Sequence, residues 1–245
     1  MNIEELKNQK IALLPIIMGT ALIISAMIWS SAYYNKDASN SLSVTGSASM
    51  NVESDSAKFS GSFSRVVKKS NLKSGYEQIA QDLTIIKKFL KDQGINDKDV
   101  TISTVSMYEN YQYNKDMYSE TEYNISQRVE VTSSDVNKIT VLAQKTQEFI
   151  NKGVIFSTNQ VEYYYSKLPE LRVSLLSEAV KDAKARASKI AEATGKRVGN
   201  LKSAAGGVVQ VRSANSLDIS DYGMYDTSTI SKNIMITVKA SFGLK

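Results

Sequence analysis

The sequence predicts an α+β fold: a mostly antiparallel sheet with amphipathic helices packed on one side, preceded by one N-terminal transmembrane or signal helix. Three observations predict it. Several stretches alternate apolar and polar residues with period two, as half-buried strands do. Three stretches carry apolar residues at spacings of three and four, and each is closed by a glycine, at Gly94, Gly153 and Gly195. Ahead of all of them, Ile11 to Trp29 carries no charged residue.

Met1 to Lys10 is polar, with Lys7 and Lys10 beside the apolar run. At about 1.5 Å per residue, Ile11–Trp29 reaches across most of a hydrocarbon core of about 30 Å. Trp29, Tyr33 and Tyr34 suit the aromatic belt at the far interface. Pro15 falls in the first turns, where a helix tolerates it. The alternative is a cleaved signal peptide, for which Ser30-Ser31-Ala32 offers small residues at a cleavage site. Either way, residues 1–36 are expected to form a short cytoplasmic tail plus anchor or signal segment, and 37–245 an exported domain.

Within that domain, Leu42, Val44, Gly46, Ala48, Met50 and Val52 alternate with polar residues as a first strand, and Ala57, Phe59, Gly61, Phe63 and Arg65 as a second. Leu72, Tyr76, Ile79, Leu83, Ile86 and Leu90 then mark a helix, with Ser70 or Asn71 to cap its start. Val100 to Met107 reads as a third strand, and Tyr123, Ile125, Gln127, Val129 and Val131 as a fourth. Between them Tyr108, Tyr111, Tyr113 and Tyr118 lie in a polar hairpin tip. A shorter helix carries Val136, Ile139, Leu142, Ala143, Phe149 and Ile150, with Ser133 or Ser134 at its start. A fifth strand runs from Val154 to Tyr165.

The segment Leu171–Gly195 organises the chain. Val173, Leu176, Val180, Ala183, Ala187 and Ile190 fall on one helical face, with Pro169 in the first turn. The alanines let this helix lie close to the sheet. Asp182 and Arg186, four apart, can pair along one flank. Val198 to Val211 reads as a strand broken near Gly206-Gly207, Ser213 to Thr229 as a surface loop, and Ile234, Ile236, Val238, Ala240 and Phe242 as the last strand. Strand, helix, glycine and strand recur around Gly94 and Gly153, a weak repeat that also allows a two-lobed arrangement.

Composition narrows the chemistry. The chain has 245 residues, 42% hydrophobic and 22% charged, enough to bury a core in one large domain or two small ones. It has no Cys and no His, which removes disulfides, thiolate zinc sites, Ser-His-Asp and Cys-His catalysis and His-containing metal sites. The net charge of +5 is spread among acidic residues, as in Lys181-Asp182-Ala183-Lys184, so nucleic acid is not an expected partner.

Some of these stretches are similar to the SIMPL-domain family of bacterial envelope proteins. The resemblance spans roughly Ser41 to Phe242. It is carried by Val44-Thr45-Gly46, by the Gly94-Ile95 turn followed by Val100 to Ser103, and by Glu178-Ala179-Val180, Asp182-Ala183, Arg186-Ala187, Ile190-Ala191 and Gly195. The sequence departs from the family pattern in its Tyr-rich hairpin and its Ser213–Thr229 loop. The resemblance implies an exported α+β domain with no established catalytic site, and a role in envelope maintenance or stress tolerance through self-assembly.

No catalytic, cofactor-binding or metal-binding residue stands out. Gly206-Gly207 lacks the strand–loop–helix and Lys-Ser/Thr of a phosphate cradle. Glu109, Asp116, Glu120 and Glu122 lack a calcium-loop spacing. The tyrosines from Tyr108 to Tyr123, with Tyr163 to Tyr165, suit stacking on sugars or a protein partner, and equally suit strands. The expected function is therefore a membrane-anchored structural or interaction module, a homo-oligomer and not an enzyme. It would sit in a bacterial inner membrane as a single-pass protein through Ile11–Trp29, with its C-terminal domain in the periplasm or outside the cell. The alternative is a periplasmic binding module for a small ligand or peptide.

Overall fold

A computed structural model describes residues 15, 18–31, 41–110 and 120–245. The tail Met1–Lys10, the linker from Asp37, and Tyr33, Tyr34, Tyr111, Tyr113 and Tyr118 lie outside them. Of the apolar run, residues 18–29 belong to a helix, α1 (18–31), whose Leu22, Ile24, Met27 and Trp29 side chains are exposed. Among the described residues no helix is long and apolar enough to cross a membrane.

From residue 41 onward the elements run β1 (Ser41–Glu53), β2 (Ser56–Lys68), α2 (Leu72–Asp92), β3 (Val100–Ile102), β4 (Ser106–Glu109), β5 (Glu122–Ser133), α3 (Val136–Gln144), α4 (Gln147–Asn151), β6 (Phe156–Thr158), β7 (Glu162–Tyr164), α5 (Leu168–Ala193), β8 (Val198–Gly206), β9 (Gln210–Ser213), β10 (Met224–Tyr225) and β11 (Ser231–Leu244). They form two sheets. A six-stranded sheet has the order β3-β5-β2-β6, with β4 also on β5 and β7 also on β2. A five-stranded sheet has the order β1-β11-β9-β10, with β8 on β11. All the pairings whose register is resolved are antiparallel except β9 with β10. By compactness the chain divides into a larger unit, 47–182 with 206–238, and a smaller one, 1–46 with 183–205 and 239–245.

The larger unit is built on the β2–β5 ladder, which is unbroken from Ala57–Ser133 to Lys68–Glu122. Period two sends Ala57, Phe59 and Phe63 of β2 and Ile125, Val129 and Val131 of β5 to one face. There they meet Ile79, Ile86 and Phe89 of α2, Ile139 and Leu142 of α3, and Phe149 of α4 in one buried cluster. Phe149 is central: its ring lies 4.6 Å from that of Phe89, edge-on, and 4.6 Å from that of Phe156. Gly75 permits α2 to come this close, since a Cβ there would lie 2.8 Å from Ile125 Cδ1. Gly61 has the same function on β2, where a Cβ would collide with the Phe156 ring.

The helices end as the glycines predict. Gly94, Gly153 and Gly195 all have positive φ. Each is the left-handed residue of a Schellman motif, with paired bonds such as Ile95 N–H to Leu90 O and Gly94 N–H to Lys91 O. Ile95 with Leu90, and Val154 with Phe149, are both buried pairs, so these two turns also feed the core. The third delivers Lys196 instead.

Several expectations need correction. The helix read from Val136 to Ile150 is two, α3 and α4, with Ile150 exposed; Tyr76 of α2 is exposed as well; and the Ser213–Thr229 loop holds the short strand β10. The Val100–Met107 strand is two strands, β3 and β4, separated at Ser103, whose N–H bonds Arg128 O and whose hydroxyl accepts from Arg128 N–H. The Val154–Tyr165 strand is likewise two, β6 and β7, both on β2. The cap of α3 is Asp135, which accepts from Lys138 N–H at 2.9 Å, with Ser133 instead accepting from Asp135 N–H. Finally, the buried stripe of α5 is Leu171, Leu175, Ala179, Ala183, Ala187 and Ala191, at a constant spacing of four. Ala183 and Ala187 were expected there, but Val173 is 71% exposed, and Leu176 and Ile190 are exposed too. Within the larger unit α5 lies beside the five-stranded sheet, with Asp182 Oδ2 accepting from Ser47 N–H at 2.8 Å.

In the smaller unit, Ala183, Ala187 and Ala191 of α5 and Ala240 and Phe242 of β11 are buried. Arg197 and Lys245 exchange two backbone bonds of 2.8 Å, which closes the β8–β11 end of the sheet. In the last strand Ile234, Ile236, Val238, Ala240 and Phe242 all point inward, as their alternation predicts.

Candidate functional surface

The helices cover one face of the six-stranded sheet. The residues of opposite parity on β2 and β5 therefore face away from the core: Lys58, Ser60, Ser62 and Ser64 on β2, and Asn124, Ser126, Arg128 and Glu130 on β5. Register places them in rows across the strands. Thr101, Glu130 and Ser60 form one row, Arg128, Ser62 and Ser157 the next, Ser106, Ser126 and Ser64 a third, and Tyr108 stands beside Asn124 beyond it.

The break between β3 and β4 opens this face into a groove of about 490 Å³, lined by Ser62, Thr101, Ser103, Ser106, Ser126, Gln127, Arg128 and Glu130. Ser103 and Gln127 are structural here, since Gln127 Nε2 donates to Ser103 O at 2.7 Å and the Ser103 hydroxyl donates to Thr104 O. The hydroxyls of Ser62, Thr101, Ser106 and Ser126 make no side-chain hydrogen bond among the described residues. Arg128 and Glu130 sit 3.9 Å apart and leave most of their bonding capacity to solvent.

A second hollow, of about 350 Å³, continues along the same face past Ser60 and Glu130 to Lys58, Asn159 and Glu162. Lys58 forms a salt bridge with Glu162, which also accepts from the Tyr164 hydroxyl at 3.0 Å. The bond to Glu162 raises the Lys58 pKa, and the bond from Lys58 lowers that of Glu162. Burial, then the neighbouring Glu162 carboxylate, pushes the Tyr164 hydroxyl up. Charges on this face thus come as neutral pairs.

Two further charged clusters serve the fold. Arg65, on the inward parity of β2, makes a two-pronged bond to buried Asp82 of α2, each arm 2.7 Å, and donates a third bond to Gly153 O. Lys232, on the inward parity of β11, is fully buried; its Nζ donates to Asp226 O at 2.6 Å and Thr229 O at 2.8 Å. Asp226 in turn accepts from both Ser228 N–H and its hydroxyl, and from the Thr229 hydroxyl. Burial pulls the Lys232 pKa down, against the pull of Asp226. Burial works to raise Asp226, but the Ser228 and Thr229 bonds prevail and hold it below the usual carboxylate range.

Neither cluster follows from the sequence reading, though both leave a signal there. Arg65 falls on the apolar face of its alternating strand. Asp82 lies three residues after Ile79 and four before Ile86 on the apolar stripe of α2, and Lys232 lies two before Ile234. The other residues weighed from sequence have ordinary positions. Gly207 makes a close backbone contact, its N–H bonding Thr237 O at 2.8 Å. Glu120 accepts from Ser70 N–H. Tyr163 is buried with its hydroxyl 3.0 Å from Thr140 Oγ1, and Tyr164 packs on Tyr225. Tyr108, by contrast, is 57% exposed on the open face.

The profile of the SIMPL family, described as protein of unknown function (DUF541), matches residues 42–242. The chain belongs to the SIMPL family. The match runs from β1 to β11, so both sheets and the grooved face lie inside the SIMPL domain. A search of curated proteins gives no significant match.

Proposed function

We propose that this SIMPL protein is a membrane-anchored structural and interaction module of a bacterial envelope, self-assembling, linked to envelope maintenance and stress tolerance, and without catalytic turnover. The observation that carries this reading is the charge-free run Ile11–Trp29 directly ahead of the SIMPL domain. Lys7 and Lys10 on one side of that run favour retention of the short end in the cytoplasm. The domain would then stand on the outer side of the inner membrane. Its charged pairs support a structural role: Arg65–Asp82 ties β2 to α2, and Lys232–Asp226 ties β11 to the loop before it.

Fractionation tests the anchor. The full-length protein should stay with membranes through a carbonate wash and leave them only in detergent. Release by carbonate, with a new N-terminus near Tyr33, would instead mean a cleaved signal peptide. Light scattering on the detergent-extracted protein should give a defined oligomer, and a monomer would remove self-assembly from the proposal.

One observation favours the second reading, a binding module. It is the groove on the open sheet face, whose four uncommitted hydroxyls and loosely paired Arg128 and Glu130 offer donors and acceptors to a ligand.

A further inference from the structure

We propose that the groove between β3, β4, β5 and β2 binds a neutral oligosaccharide. This rests on reading the groove as a binding site, and it specifies the ligand class. Three features select that class. First, the wall is made of hydroxyls: Ser62, Thr101, Ser106 and Ser126 each offer one donor and two acceptor positions, and their side chains make no hydrogen bond among the described residues. A ligand bearing hydroxyls along its length matches such a wall, since each partner can donate or accept. An aliphatic ligand would strip water from those groups and return no bonds.

Second, the charge is balanced. Arg128 and Glu130 stand two residues apart on the same face of β5, and the neighbouring hollow repeats the balance with Lys58 and Glu162. A polyanion would meet Glu130 and Glu162 as well as the cations. A neutral chain can use Arg128 as a donor fork and Glu130 as an acceptor without opposing either.

Third, an aromatic platform stands at one end. Tyr108 is on the same parity as Ser106, one row beyond the groove, beside Asn124, and its ring is largely exposed. Rows two residues apart are about 6.8 Å from each other along a strand. Glu130, Arg128, Ser126 and the Tyr108 row therefore span about 20 Å, the length of a short oligosaccharide rather than of a single sugar.

The test is titration calorimetry on the full-length protein, extracted in a zwitterionic detergent without a sugar headgroup. The probes are a tetramer of N-acetylglucosamine, maltotetraose and, as a non-sugar, pentaalanine. Saturable binding of at least one tetrasaccharide is expected, with affinity at least tenfold weaker for Arg128→Ala, Ser62→Val and Tyr108→Ala. Lys184→Ala on α5 should bind as the parent does. Circular dichroism on each variant keeps a folding failure from being scored as lost binding. Saccharide binding unaltered by all three groove variants would overturn the assignment. So would groove-dependent binding of pentaalanine alone, which would keep the groove as a site and reject the ligand class. Absence of binding by every probe at millimolar concentration would overturn both.

Discussion

At the scale of single residues, the most consequential features are charges inside apolar patterns. Arg65 and Asp82 each sit where a hydrophobe would be expected, and each is tolerable only because the other is present. Removing one member of such a pair leaves a buried charge without a partner, at a cost of about 3–5 kcal/mol. Arg65→Met should therefore lower stability by about 3 kcal/mol in urea titrations. Arg65→Met combined with Asp82→Leu should recover much of that loss, because no charge is then stranded. The Asp226–Lys232 cluster makes a pH-dependent counterpart. The folded-state pKa of Asp226 is depressed, so its contribution is present above the unfolded value of about 3.9 and is lost as pH falls through the folded value. Lys232 has the opposite sense: its folded pKa is lowered, so its charge opposes folding at neutral pH and the penalty fades as pH rises. The protection factor of the Ser228 amide, its exchange rate corrected for intrinsic pH dependence, should fall as pH drops below the ordinary aspartate value of about 3.9, and Asp226→Asn should show reduced protection already at pH 7. A protection factor that stays constant down to pH 2 would reject this role for Asp226.

At the scale of elements, periodicity names most of the buried residues, though Tyr76 of α2 and Met50 of β1 fall on an apolar pattern and are exposed. β2 and β11 alternate without a break, and their inward residues are those the alternation names. All three helix-ending glycines do what glycine does best, adopting positive φ. α5 was read only in part, and the reason is physical. Its apolar residues include two sets, a three-four set containing Val173, Leu176 and Ile190 and a four-spaced set ending in four alanines. Hydrophobicity favours the first. Close approach favours the second, because the smallest side chains set how near the helix can lie. A spacing of four also advances about 40° around the helix at each step, so the buried stripe winds around α5. Ala183→Leu should overpack the buried surroundings of Ala183 and cost about 1–3 kcal/mol. Val173→Ala should change stability by no more than about 0.5 kcal/mol. Equal melting temperatures for the two variants would contradict the observed stripe. The β3–β4 and β6–β7 breaks were not legible, since they depend on bonds such as Ser103 to Arg128 that join residues far apart in sequence. The groove follows from the first of those breaks, so its outline is hidden too, although Ser62 and Ser126 are visible on the outward phase of β2 and β5.

For the whole molecule, the mixed α+β class and SIMPL membership were both readable from the order of strands, helices and glycines, and the family profile covers the same span, 42–242. What sequence reading did not separate was one sheet from two: period two reports which residues share a face, but not which strands share a ladder. The functional proposal depends instead on where the SIMPL domain stands relative to the membrane. The most direct measurement fuses two reporters, in separate strains, after Lys245 of the full-length chain. If Ile11–Trp29 directs the domain outward, alkaline phosphatase should be active there and a fluorescent protein that matures only in the cytoplasm should be dark. Bright fluorescence with inactive phosphatase would place the domain in the cytoplasm and contradict the envelope role.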